Sequence, residues 1–359
     1  NYAYSFDNIG NRLTANLAGT PWTYTANNLN EYSAFTINQV AETPSYDDDG
    51  NMLTRDGWTQ TWNGENRLIK AEKGTAKLEF AYDYMGRRIF KKVYNGETLT
   101  SHIRFVYDGY KLIEELNALN NNAVLRRYTW SPVGLDTPVS VYDASANATY
   151  YYNTDANKNI TELTDATGAV VAHYEYSPFG KVLVANGSYA SINPFRFSSE
   201  YHDDESGLVY YNYRYYSPEL GRWMSRDPIG ERGGWNLYIA FNNSSVNAID
   251  HKGHIAIFAL IPLIVKTFGY FKLGENLLLG TLSLWNYLDC IDRAEQLKSE
   301  ARKIFCDELT YLQWGKNVKP GAECAPLLSD SLKYLLKAGV SGGIGKLMPA
   351  MLKMRATLR

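Results

Sequence analysis

Histidine and cysteine are scarce in this chain, and their positions exclude several chemistries. There are five histidines, and none lies beyond His254. A histidine-dependent nuclease or a Ser-His-Asp triad therefore cannot be built within residues 255–359. The three cysteines, Cys290, Cys306 and Cys324, are odd in number and loosely spaced, which fits neither a disulfide framework nor a zinc site. With no Cys-x-x-Cys pair, a zinc deaminase is excluded as well. The stretch "GVSGGIGK" has Leu347 after Lys346 and so lacks the Ser/Thr of a phosphate-binding loop. No basic-then-apolar leader is present, and the chain opens on Asn within a pattern already running, "NYAYSFDNIGNR". We expect it to be a piece of a longer protein. A net charge of −2 gives no electrostatic case for nucleic acid, and nothing in the composition calls for a cofactor or a metal.

What is present is unevenly distributed. At 359 residues the chain is long enough for two domains. Residues 255–359 carry 14 Lys+Arg against 9 Asp+Glu, whereas the first 254 residues carry 22 against 29. Of the 29 tyrosines, 25 precede residue 255. Two segments with different jobs follow from that asymmetry.

The first 220 residues are a degenerate repeat of aromatic, x, aromatic, a short spacer, Gly and a basic or small polar residue. Instances are "YAYSFDNIGNRLT" (2–14), "YDDDGNMLT" (46–54), "FAYDYMGRRIFKK" (80–92), "YEYSPFGKV" (174–182) and "YYNYRYYSPELGRW" (210–223). Alternation such as Phe80-Ala81-Tyr82-Asp83-Tyr84 predicts half-buried strands. Asp-x-x-Gly and Ser-Pro-x-Gly predict tight turns. The result is a run of β-hairpins, each burying a face on its neighbour in a wound sheet or solenoid.

These Tyr-Asp-x-x-Gly-Arg units, ending in "YYNYRYYSPELGRWMSRDPIGERGGWNLYIAFNNSSVNAIDHKG", resemble the Rhs/YD-repeat family. Residues from about 175 to 253 resemble its Rhs-associated core domain. The relatives implied are bacterial polymorphic toxins, the C component of insecticidal toxin complexes and, more distantly, teneurins. The resemblance implies a mainly β architecture with three parts. Residues 1–174 would form a segment of YD-repeat shell and 175–254 a core plug that cuts the chain. Residues 255–359 would be a mostly helical, variable effector held inside the shell. Implied partners are the enclosed C-terminal segment, secretion-system or toxin-complex components and an immunity protein. The implied location is secreted or cell-surface.

Two Asp-x-x-Gly units flank the seam, Asp227-Pro228-Ile229-Gly230 and Asp250-His251-Lys252-Gly253. Two carboxyls that share one proton can activate a water and protonate a peptide carbonyl. Arg226 stands beside Asp227 and is placed to hold a carboxylate by a bidentate pair. The resemblance makes Asp227 with Arg226 the catalytic end and puts Asp250 in the motif before the cut. The cut would then fall near Gly253, His254 and Ile255, after His254, as the work of an aspartic-type autoprotease. His251, Lys252 and His254 depart from the family's usual Asp-Pro-x-Gly-Leu, and Ser244 replaces the proline of its Asn-Asn-Pro. The competing reading is that both units are ordinary turns, with Asp capping its own backbone and Gly230 and Gly253 supplying the conformation. Asn236, Tyr238, Asn242 and Asn243 are expected to tie the plug together by side-chain hydrogen bonds.

In the tail, "ENLLLGTLSLWNYLDCIDRAEQLKSEARKIFCDELTYL" (275–312) and "SDSLKYLLKAG" (329–339) have helical spacing and caps. "IAIFALIPLIV" is shorter than the ~20 residues that span a bilayer, and Pro262 interrupts it. With Leu277–Leu288 it makes either the core of a soluble bundle or a hairpin that inserts into a target membrane. The leading function is a toxin carrier that frees its own C-terminal effector. The alternatives are a non-catalytic, teneurin-like adhesion scaffold with a docking tail, and sugar recognition by exposed tyrosines.

Overall fold

The computed structural model describes residues 2–37, 39–132, 136–251, 253 and 255–258, all within one compact unit, Asn1–Leu260. The helices expected at 275–312 and 329–339 lie outside the described residues. The apolar run at the seam starts as a strand, Ile255–Phe258.

Every hairpin pairs with its neighbours in sequence. Five strands, from Tyr2–Phe6 to Val40–Glu42, form one antiparallel meander. Thirteen more, from Thr54–Arg55 to Val182–Asn186, form a second. Strand alternation sets the buried face. In Ala76–Tyr82, Leu78 and Phe80 are buried, and Leu78 faces Ala71 across the neighbouring strand. The strand-and-turn reading of the repeat is what the structure contains, with almost no helix among the described residues.

The aspartates of the repeat close the turns. The Oδ1 atoms of Asp7, Asp47, Asp83, Asp155 and Asp165 each accept the backbone N–H four residues on, at 2.7–3.0 Å. Neighbouring turns are also linked: Asn11 Nδ2 donates to Asn30 Oδ1, and Asn51 Nδ2 to Asn66 Oδ1, both at 2.8 Å.

A four-stranded sheet (Tyr201–Asp203, Leu208–Tyr211, Arg214–Ser217, Arg222–Trp223) is buried on both faces. Leu208, Tyr210 and Tyr215 join the core of the long wall, with Leu78, Phe80 and Tyr128. Val209, Tyr211, Tyr216 and Trp223 face the other way, onto Ala240, Phe241 and Ala248. One ionic clasp fastens this sheet to the wall. Arg88 pairs with Asp203 at 2.6 Å, and its guanidinium lies among the rings of Phe80, Phe105, Tyr201 and Tyr210, 4.6–5.3 Å from their centroids. The sheet's second surface and the loops behind it carry the candidate site.

Candidate active site

Arg214 organises the seam. It is the first residue of a central strand, with its side chain 2% exposed and its guanidinium 4.1 Å from the Trp223 ring centroid. Its Nη2 lies 3.0 Å from Asp227 Oδ2 and 3.3 Å from Asp250 Oδ2, so one nitrogen bridges both aspartates. Its Nε donates to the Gly253 carbonyl. A single buried cation thus gathers both carboxylates and the backbone of the segment expected to be cut.

The two aspartates arrive by different routes. Asp227 follows the edge strand Arg222–Trp223. Its N–H donates to Leu237 O at 3.0 Å, and its carbonyl accepts Gly230 N–H at 2.8 Å. Its Oδ1 accepts Ile229 N–H at 3.0 Å, a local turn bond. Unlike the repeat aspartates, it directs its second oxygen to a residue 13 positions away, Arg214. Gly233 lies so close that a Cβ there would meet Asp227 Oδ2 at 2.8 Å. Asp250 stands on the strand Ala248–His251, paired with Ala256 in the strand beyond the expected cut; Ile255 pairs with His251. Gly253 has φ +73°, and a Cβ there would meet Tyr211 at 3.1 Å.

Burial raises Asp227 above its usual range, and Arg214 only partly offsets this. Burial also lowers the Arg214 guanidinium, which Asp227 and Asp250 pull back up. No cluster suited to a metal occurs among the described residues.

The other expected site residues are placed as follows. Arg226 does not meet Asp227: its Nη2 is 3.0 Å from Glu31 Oε1, beside the Tyr238 hydroxyl, which donates to Gly50 O at 2.8 Å. Asn236 Nδ2 donates to Asn11 Oδ1 at 2.7 Å, and Asn243 Nδ2 to Gly10 O at 2.8 Å. Asn242 is exposed, with φ +49°. Gly230 has φ +62° with open space around it. Arg226, Asn236, Tyr238 and Asn243 therefore fasten the plug to the first hairpins, away from the aspartates. His254 lies outside the described residues, as does the stretch 259–288 that bears on membrane insertion.

A family model, the teneurin YD-shell, matches residues 1–233. The chain belongs to the YD-shell (Rhs) family. The double-stranded DNA deaminase toxin A of Burkholderia cenocepacia is 32% identical over 249 residues, which is 60% of this chain and 17% of that protein. The tRNA nuclease WapA of Bacillus subtilis is 32% identical over 266 residues, covering 70% and 11%. The toxin protein Tse5 of Pseudomonas aeruginosa is 29% identical over 252 residues, covering 60% and 18%. The chain thus spans under a fifth of each of these relatives. The crystal structure titled TcdB2-TccC3-TEV shares the fold, with a TM-score of 0.52 at 21% identity over 70% of this chain and 15% of that one.

Within this YD-shell chain, Arg214 is the residue that sequence reasoning did not single out. It sits in "YYNYRYYSP" as one basic residue among tyrosines. One signal was available: a lone cation in a strand otherwise aromatic on both faces must be paired, because an isolated buried charge is too costly.

Proposed function

We propose that this chain is the closing part of a toxin carrier whose core cuts the polypeptide after His254 and frees residues 255–359. In this reading residues 1–174 are shell wall, 175–254 the cutting core, and the remainder the cargo. The observation that carries it is the convergence of Asp227, Asp250 and the Gly253 carbonyl on Arg214. Supporting it, the relatives are named for unrelated activities, a DNA deaminase and tRNA nucleases, yet share this stretch of about 250 residues. A stretch common to toxins of different activity suits a shared carrier role.

Self-cutting assigns the carboxyls unequal tasks. Asp250, ionised, takes a proton from a water whose oxygen attacks the scissile carbonyl carbon. Asp227, neutral, gives its proton to the carbonyl oxygen. The tetrahedral intermediate then collapses: Asp227 regains its proton, the C–N bond breaks, and the Ile255 nitrogen takes the proton held by Asp250. The products are a His254 carboxyl and an Ile255 amine, with both aspartates restored. Arg214 holds the pair and the Gly253 backbone in register, which is the positioning that such a step requires.

The partners proposed with this role are the enclosed tail, toxin-complex or secretion components and an immunity protein, for a chain delivered outside the producing cell. The intact mass of the chain beside Asp227→Asn, under denaturing conditions, tests it. Two wild-type pieces meeting at 254/255 and one uncut variant support the carrier; a single species in both leaves the adhesion scaffold.

A further inference from the structure

Two buried arginines stand at the joint between the first hairpins and the core. Arg12 begins the strand Arg12–Leu17 of the first meander, and Arg222 begins the core edge strand Arg222–Trp223. They are 3% and 4% exposed. A Cβ at Gly221, the residue before Arg222, would collide with Arg12 Nη2. Both arginines line one pocket of about 10 Å³, together with Gly10, Tyr32, Gly221 and Tyr238.

Their charges are not balanced from within the chain. Among the described residues, Arg12 Nε and Nη2 and Arg222 Nε and Nη1 are buried with no hydrogen-bond partner. Arg222 Nη2 donates to Asn30 O at 2.6 Å, a neutral acceptor. Aromatic rings pack on both cations. The Arg12 guanidinium is 4.3 Å from the Phe179 ring centroid and 4.7 Å from that of Tyr4; the Arg222 guanidinium is 3.9 Å from Tyr32 and 4.7 Å from Tyr238. Rings attract a cation but supply no net charge, so they offset only part of the cost of burial. The carboxylates beside these residues in the chain are already committed. Glu31 Oε1 takes Arg226 and the Tyr238 hydroxyl, and its Oε2 takes Asn27 Nδ2. Asp7 accepts Ile9 N–H, Asn11 N–H and Asn11 Nδ2 within its own turn.

We propose that this pocket is a halide site, in which one chloride held between Arg12 and Arg222 clasps the core to the first hairpins. The pocket has about the room that one water takes, so a charged occupant must be a single small atom. Sulfate, phosphate and carboxylates are too large. Chloride supplies the missing negative charge and accepts the orphaned guanidinium N–H groups, which a water would do without neutralising them. The site joins two parts of the fold that are some 200 residues apart in sequence, and it stands whether or not the chain cuts itself.

The test melts the full chain at constant ionic strength while sodium sulfate is replaced by sodium chloride. Sulfate strengthens burial because it is excluded from protein surface, so exclusion alone lowers the melting temperature as chloride replaces it. A bound chloride instead raises it, by roughly 3–5 °C for each tenfold in chloride above the dissociation constant. Arg12→Met and Arg222→Met should each abolish that rise. A fall in wild type, or a rise that persists in either variant, overturns the site. Crystals of the wild-type chain grown in sodium bromide keep the test decisive if the variants do not fold. Anomalous scattering at the bromine edge should place one ion between the two guanidinium groups. Bromide found only elsewhere, or an ordinary water in the pocket, overturns the proposal.

Discussion

Arg88 Nη1 lies 2.6 Å from Asp203 Oδ2, with side-chain exposures of 1% and 0%. This pair joins a strand of the long wall, Arg88–Asn95, to the first strand of the core sheet. Lys91 Nζ reaches the other Asp203 oxygen at 3.0 Å, so the aspartate is held by two cations. The core sheet that carries Arg214 is thereby anchored to the repeat array.

Breaking that anchor from one side should be severe. Asp203→Ala leaves Arg88 buried without its counter-charge and Lys91 with Glu205 alone, and should cost about 3–5 kcal/mol. Chemical denaturation of the uncut chain checks it. A cost like that of an exposed pair, under about 1 kcal/mol, would contradict this account.

Arg214 should matter more to cutting than Arg226 does. Arg214→Gln removes the bridge between Asp227 and Asp250 and the donor to Gly253, so self-cleavage should be lost. Arg226→Gln removes the contacts with Glu31 and Tyr238, away from the aspartates, and should still yield both fragments. Intact masses of the two variants decide it; the reverse order would restore Arg226 to the site.

Two buried carboxyls should give stability opposite pH dependences. Asp203 is held below its ordinary range: although burial raises it, Arg88 and Lys91 win. Its contribution is present above the unfolded value, about 3.9, and is lost as pH falls through the folded value. Glu200 is held above its range, so stability falls as pH rises from about 4.3 towards its folded value. Glu200→Gln should therefore gain melting temperature over wild type as pH goes from about 5 to about 8. A constant difference across that range would mean that Glu200 titrates normally.

Two turn glycines separate crowding from conformation. Gly180 (φ +85°) and Gly168 (φ +86°) end equivalent turns, but a Cβ at 180 would sit 2.4 Å from the Phe197 ring, whereas at 168 nothing lies within 4 Å. Gly168→Ala should cost about 1–2 kcal/mol from left-handed strain alone. Gly180→Ala should cost more and should loosen Phe197, which begins the turn that places Glu200. Equal melting shifts would contradict this.

The repeat was legible in the sequence because its signals are local. Alternating aromatics fix which strand face is buried, and an Asp that accepts the N–H four residues on closes each turn without help from elsewhere. The same local logic suggested the two seam aspartates and the general class of chemistry. It also suggested Arg226 as the partner of Asp227, and there the local signal misleads. Side chains of adjacent residues leave an extended chain on opposite sides, and here Asp227 goes to Arg214 while Arg226 goes to Glu31. The sequence by itself determined the hairpins, their turns and the place of the seam, all properties with a range of a few residues. Only the tertiary structure decided that Arg214 gathers the site and that Asp203 anchors the core sheet to the long wall. Both depend on charges buried together from strands and turns far apart in sequence, where a low-dielectric interior forces each to find a partner or stay neutral.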